Sequence, residues 1–380
     1  EKSKKGAPSS WERMQQNGCL FSLLLLLPLA TAFLPLAPLA PSSSRPLPTP
    51  SAHRPRTPLS SLRLSSASFP AFLPQEMEDV EDPDCVSMAQ RLVRAPVKVS
   101  DTTAADTIMT SYAGGAAAGD GKTPVLCLHG FDSSCLEFRR LLPKLEEGGA
   151  EAYAIDVLGW GFTQRDEGLV KDFGVEGKRD HLKGFIEQVL GGRRTVLVGA
   201  SLGGCVAIDF ALQYPDLVEK LVLLDPQGYV EGAPMGGQPK FLQDIGIGVL
   251  KSKPLRMFAN KIAYADPDTF GTEDAMRIGR LHCLSPPGWE EAMRGYMDGG
   301  GYKLASSIAR VPQSTLILWG DQDKILDPSL YADRFVEDLG SEKAKLEMVE
   351  NCGHVPHLEQ SQMTCDKILE YLGMTVSARV

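Results

Sequence analysis

A five-residue pattern, Gly199-Ala200-Ser201-Leu202-Gly203, follows the apolar run at 195–198 and precedes a run at 205–214 that reads as a helix. Strand, tight turn and helix form the setting in which Gly-x-Ser-x-Gly carries chemistry. A serine at the tip of such a turn sits in strained backbone, with its hydroxyl projecting beyond the end of the strand. The residues two before and two after it pass close together, which Gly199 and Gly203 allow because neither has a Cβ. The first turn of the following helix has N–H groups without intrahelical partners, aimed at whatever the hydroxyl attacks.

The rest of the chain supplies the sheet that such a turn needs. Short, mostly apolar runs at 123–128, 151–157, 194–198, 221–225, 315–318 and 345–349 read as buried strands. Runs at 133–146, 180–190 and 205–214 read as helices between them, and 97–100 and 106–112 as a pair of short strands. Residues 75–95, acidic and then amphipathic, have no clear assignment. The alternation predicts an α/β fold with a mostly parallel sheet covered on both faces. In such sheets reactive groups collect beyond the carboxyl ends of the strands.

Polar residues stand at those ends. Trp319-Gly320-Asp321-Gln322-Asp323 follows one strand and Asn351-Cys352-Gly353-His354 follows the last. A serine hydroxyl is a poor nucleophile at neutral pH, and an imidazole within hydrogen-bond reach removes its proton as it attacks. A carboxylate on the far ring nitrogen holds the tautomer and stabilises the imidazolium. Ser201 is thus the expected nucleophile, His354 the base and then acid, and Asp323 the orienting carboxylate. Asp321 and Asp225 are alternatives for the acid, and His357 for the base. His129 reads as a brace for the loop that follows it. Backbone N–H groups of Leu202 and Phe131 are the expected oxyanion donors.

Almost ninety residues separate the strand ending at Asp225 from the one beginning at Thr315, far more than a connecting loop requires. Stretches at 238–250, 256–263, 272–281 and 289–297 read as helices, broken at Pro286-Pro287-Gly288 and Gly299-Gly300-Gly301. They predict a helical lid over Ser201. Its Met257, Phe258, Tyr264, Met276, Trp289, Met293 and Tyr296 either line an apolar pocket or pack lid against body. The expected organisation is a leader over 1–74, core over 75–225 and 314–380, and a lid over 226–313.

The net charge of −9 and the lack of a basic, aromatic-interleaved patch argue against nucleic acid as a partner. Eight scattered cysteines, none in a Cys-x-x-Cys pair, read as reduced thiols. His354 and His357 have no second ligand pair, so no metal is expected, and no cofactor. Near the start, an apolar run at 19–27, too short to span a bilayer, is followed by Ala30-Thr31-Ala32. Residues 33–74 carry Ser, Pro and Arg but no Asp or Glu. Together they have the layout of a signal followed by a transit peptide, or of a secreted leader.

From about Thr123 to Tyr371 the chain resembles the α/β-hydrolase superfamily. The motifs are His129-Gly130, Asp156-Val157-Leu158-Gly159-Trp160-Gly161, the serine turn, Trp319-Gly320-Asp321-Gln322-Asp323 and Gly353-His354. The resemblance implies an α/β-hydrolase fold and the order Ser, Asp, His. It implies an acid three residues after the glycine that ends its strand, favouring Asp323, and a base spelled Gly-His, favouring His354. The stretch 129–137 and Gly279-Arg280-Leu281-His282-Cys283-Leu284 are similar to plastid-targeted plant and algal members of unestablished substrate. That likeness implies a plastid address. Dehalogenases and epoxide hydrolases of this architecture use an aspartate where Ser201 stands. The implied activity is cleavage of an ester or related acyl bond in a small, apolar molecule. Acyl transfer, carbon–carbon bond hydrolysis and ligand reception are the alternatives.

Overall fold

Alternation of strand-forming and helix-forming runs builds one eight-stranded sheet, in the order β1-β2-β4-β3-β5-β6-β7-β8. The computed structural model describes residues 68–99, 107–116, 119, 121–284 and 287–374. The strands are β1 (Val93–Lys98), β2 (Thr107–Gly114), β3 (Val125–Leu128), β4 (Ala152–Ile155), β5 (Thr195–Ala200), β6 (Val218–Leu224), β7 (Thr315–Gly320) and β8 (Ala344–Val349). From β4 across to β8 every pairing is parallel, while β1 and β2 add an antiparallel edge. The helices are α1 (Pro83–Gln90), α2 (Leu142–Glu147), α3 (Val175–Gln188), α4 (Leu202–Gln213), α5 (Lys240–Leu250) and α6 (Lys253–Ala263). They continue with α7 (Pro267–Phe270), α8 (Glu273–Leu284), α9 (Trp289–Asp298), α10 (Pro328–Leu339), α11 (Pro356–Glu359) and α12 (Ser361–Tyr371).

The period-2 geometry of the central strands divides the core in two. Leu126, Leu128, Leu197, Leu221, Leu223 and Ile317 join one buried cluster with Phe185 of α3, Phe210 of α4 and Phe335 of α10. Their neighbours Val125, Cys127, Val196, Val198, Val222 and Leu316 join the other with Leu145 of α2 and Ile368 of α12. Strands covered on both faces have no polar side to show, which is why they read as unbroken apolar runs.

One expectation is corrected. The run 133–146 is not one helix. It is a 3-10 turn at Cys135–Phe138 followed by α2, where Pro143 stands in the first turn. Pro143 brings no N–H, so a helix can begin there but not run through it. Residues 75–95 hold a 3-10 turn, Gln75–Asp79, and then α1, whose N-terminus is capped by Asp82 accepting from the Cys85 N–H. Phe69, Phe72 and Leu73, at the end of the stretch read as leader, pack against the core, and Arg94 lies 4.4 Å from the Phe72 ring centre. The rest of that leader reading lies outside the described residues. Among the described residues no helix is long and apolar enough to cross a membrane.

Candidate active site

Between β5 and α4 the chain reverses at Ser201, whose φ of 50° and ψ of −115° are costly for any residue with a side chain. The two glycines make this possible in different ways. A Cβ on Gly199 would meet the Gly203 carbonyl oxygen at 2.3 Å, and one on Gly203 would meet the Leu128 oxygen of β3 at 2.0 Å. The expected close approach therefore holds, and β3 adds a second constraint. Leu202 opens α4, where first-turn N–H groups lack intrahelical acceptors.

Beyond β7, the Asp323 carboxylate accepts from the Ile325 and Leu326 N–H groups at 2.7 and 2.9 Å through Oδ1. Its Oδ2 lies 2.7 Å from His354 Nδ1. That contact places the Nδ1–H toward Asp323 and leaves Nε2 for a partner across the cavity. Gly353 gives His354 its position: a Cβ there would meet the Ala263 oxygen at 2.3 Å, at the end of α6. The His354 N–H donates to that same oxygen at 2.7 Å. Glu359 fastens the junction by accepting from the N–H groups of Gly353, Ala265 and Asp266.

Ser201 and His354 line one cavity of about 250 Å³, whose walls are otherwise largely apolar: Leu250, Leu255, Ala259, Ile262, Ile325 and Val355. None of the seven lid residues named from the sequence borders it. Trp289, Met293 and Tyr296 are buried in the core, and Phe258 is exposed. Large rings bury the most area where helices meet the body, whereas Leu255, Ala259 and Ile262, spaced along one side of α6, form the cavity wall.

The alternatives fall elsewhere. Asp321 accepts from the Cys352 N–H at 3.2 Å, whereas the His354 ring nitrogen meets Asp323. Asp225, in left-handed backbone with φ 43°, accepts from the Gly320 N–H at 2.9 Å. Burial, reinforced by the neighbouring Asp323, pushes its carboxyl well above the usual range. Asp225, Asp323 and His354 are the one group of metal-ligating side chains clustered within 4.8 Å among the described residues. Their contacts are to one another and to backbone N–H groups, an arrangement suited to orienting an imidazole.

His129 accepts from the Val157 N–H and contacts the Gly130 oxygen, so it braces its loop, and burial lowers its pKa. His357 Nε2 lies 2.8 Å from Glu137 Oε1. Asp156 accepts from the Cys135 and Phe162 N–H groups, and a Cβ on Gly161 would overlap its carboxyl at 2.0 Å. The Asp-x-x-Gly-x-Gly pattern thus supports the loop bearing Phe131 from behind.

Three residues at the site were not singled out from the sequence. Asp132, buried beside Phe131, contacts Arg256 of α6 at 2.5 Å and accepts from the Trp289 indole of α9 at 2.9 Å. Arg256 also donates to the Asp132 and Leu250 carbonyl oxygens. Glu137 borders the cavity. Burial alone would raise its pKa, but contacts led by His357 hold it at about 2. A carboxyl lowered on folding stabilises the native state above its unfolded pKa of about 4.3, and that contribution disappears as pH falls toward 2. Glu137→Gln is therefore expected to lower urea-unfolding stability by up to about 3 kcal/mol at pH 6, with the deficit shrinking steadily toward pH 3. A deficit independent of pH would contradict the assignment.

A family model described as "Alpha/beta hydrolase family" matches residues 125–366. The chain is 39% identical over 296 residues to the Alpha/beta hydrolase domain-containing protein VTE7 of Arabidopsis thaliana, covering 77% of this chain and 86% of that protein. It is 29% identical over 252 residues to a 2-hydroxy-6-oxo-2,4-heptadienoate hydrolase of Pseudomonas putida, covering 63% and 85%. Among solved structures, a thermophilic esterase from Thermogutta terrifontis superposes with a TM-score of 0.60 at 20% identity, over 74% of this chain and 98% of that one. The chain belongs to the alpha/beta hydrolase family. Membership supports a hydrolase.

Proposed function

We propose that the protein is a serine hydrolase that cleaves an ester or related acyl bond in a small, largely apolar substrate. The observation that carries this reading is a single cavity faced by Ser201 and His354, with Asp323 2.7 Å from the far nitrogen of the imidazole. Ser201 Oγ attacks the acyl carbon as its proton passes to His354 Nε2. The carbonyl electron pair moves to oxygen and is met by the Leu202 and Phe131 N–H groups. Collapse breaks the bond to the leaving alcohol, which takes the proton from His354. Water then repeats the sequence on the acyl-serine and releases the acid. The helical segment 226–313 is read as the lid that keeps bulk water from this site. The leader, with no acidic residue between 33 and 74, is read as a plastid address.

A second reading, carbon–carbon bond hydrolysis, is favoured by the Pseudomonas putida relative. A dienoate carries a carboxylate and needs a cation to receive it. Arg256, a cation on this cavity, is engaged by Asp132, so ester cleavage is the better supported reaction. Hydrolysis of acyl esters of graded chain length by the purified protein tests the choice. Turnover that varies with acyl length is expected. Binding of the same esters without turnover, seen as a thermal shift alone, would overturn the reading in favour of a receptor.

The two carboxyls beside His354 separate by substitution. Asp323→Asn is expected to lower kcat by ~10²–10⁴-fold because the amide can hold the wrong tautomer. Asp225→Asn mimics the protonated acid and is expected to stay within about tenfold of the parent. The reverse order in steady-state kinetics would assign the orienting acid to Asp225.

A further inference from the structure

Glu137 is a charged group on the cavity wall that the proposed chemistry does not use. Its side chain is 11% exposed and borders the same space as Ser201. A Cβ on Gly130 would meet Ser201 Cβ at 3.4 Å and Glu137 Oε2 at 3.6 Å, so Oε2 lies no farther from Ser201 Cβ than the sum of those two distances. It is held there by His357, whose Nε2 lies 2.8 Å from Oε1. Oε2 accepts the Gly130 N–H at 3.3 Å, a long bond that leaves acceptor capacity toward the cavity. Asp132, the other carboxylate of the wall, is matched by Arg256.

We propose that Glu137 makes the site prefer uncharged esters bearing a hydroxyl near the scissile bond and turn away esters bearing a carboxylate there. The inference rests on the serine-hydrolase reading. A hydroxyl within reach of Oε2 gains a hydrogen bond to a charged acceptor, among the stronger kinds. A substrate carboxylate in the same place meets a like charge across a largely apolar space. At ~7 Å and an effective dielectric constant near 20, that repulsion corresponds to roughly a 10–100-fold loss. A site arranged to receive a hydroxyl also discriminates against analogues lacking one.

The test uses three esters of one fatty acid, with propane-1,3-diol, propan-1-ol and 3-hydroxypropanoate as leaving groups. For the parent protein kcat/KM is expected to fall in that order, with the diol and carboxylate esters at least tenfold apart. In Glu137→Gln, checked for folding by fluorophosphonate labelling, the diol-to-carboxylate ratio is expected to drop at least tenfold. An unchanged ratio in the variant would overturn the proposal. So would equal hydrolysis of the carboxylate and propyl esters by the parent protein, a result that needs no variant. Failure of the underlying hydrolase reading looks different: no ester is turned over and the parent protein takes no label.

Discussion

Ser201→Ala is expected to lower kcat for acyl esters by at least ~10³-fold while leaving the fold and the thermal transition nearly unchanged. The magnitude follows from the reaction scheme. Without the hydroxyl no acyl-enzyme forms, and what survives is substrate binding and oxyanion stabilisation acting on water. The small effect on stability follows from the turn. Position 201 has positive φ with either residue, and its backbone N–H still donates to the Leu224 oxygen and its carbonyl still accepts from Gly204 and Gln227. Steady-state kinetics with circular dichroism checks both halves. A variant that is folded and retains more than a few per cent of turnover would remove Ser201 from the mechanism.

The largest stability effect is expected at Arg256. Arg256→Met leaves the Asp132 carboxylate buried with the Trp289 indole but without its cation. Removing one partner of a buried pair typically costs ~3–5 kcal/mol, and burial already pushes the Asp132 pKa upward. The ion pair joins α6 to the residue after Phe131, so kcat is expected to fall together with stability. The double variant with Asp132→Asn is expected to recover most of the lost stability, because the stranded charge is then gone. Urea unfolding of the two variants gives the comparison. A loss below 1 kcal/mol for Arg256→Met would show that the pair does not tie α6 to the loop bearing Phe131.

The parts of this molecule with local signatures were legible in its sequence. Strands buried on both faces announce themselves as apolar runs, and the serine turn does so through two glycines that backbone crowding requires. Position after a strand narrowed the polar candidates to the stretches around Asp321 and Asp323 and around His354 and His357, and the resemblance favoured Asp323 and His354 within them. The lining of the cavity was not legible. Periodicity shows that Met257, Tyr264 and Trp289 belong to amphipathic helices, but not whether the apolar side meets the body or the cavity. The break at Pro143 turns on a competition between helix propensity and a 3-10 turn whose Glu137 is engaged by a distant histidine. Arg256 and Asp132 lie 124 residues apart. No local pattern pairs them, and only the fold shows that one cation is already engaged. The upward shift of the Asp225 carboxyl likewise depends on burial and on Asp323, which the strand order brings beside it.

The most direct test of the central claim, that Ser201 is the group that attacks the acyl carbon, is peptide mapping by mass spectrometry after treatment with a fluorophosphonate. The expected result is one stoichiometric adduct on the peptide containing Ser201, slowed strongly in His354→Ala. An adduct on a different residue, or none on folded protein, would contradict it.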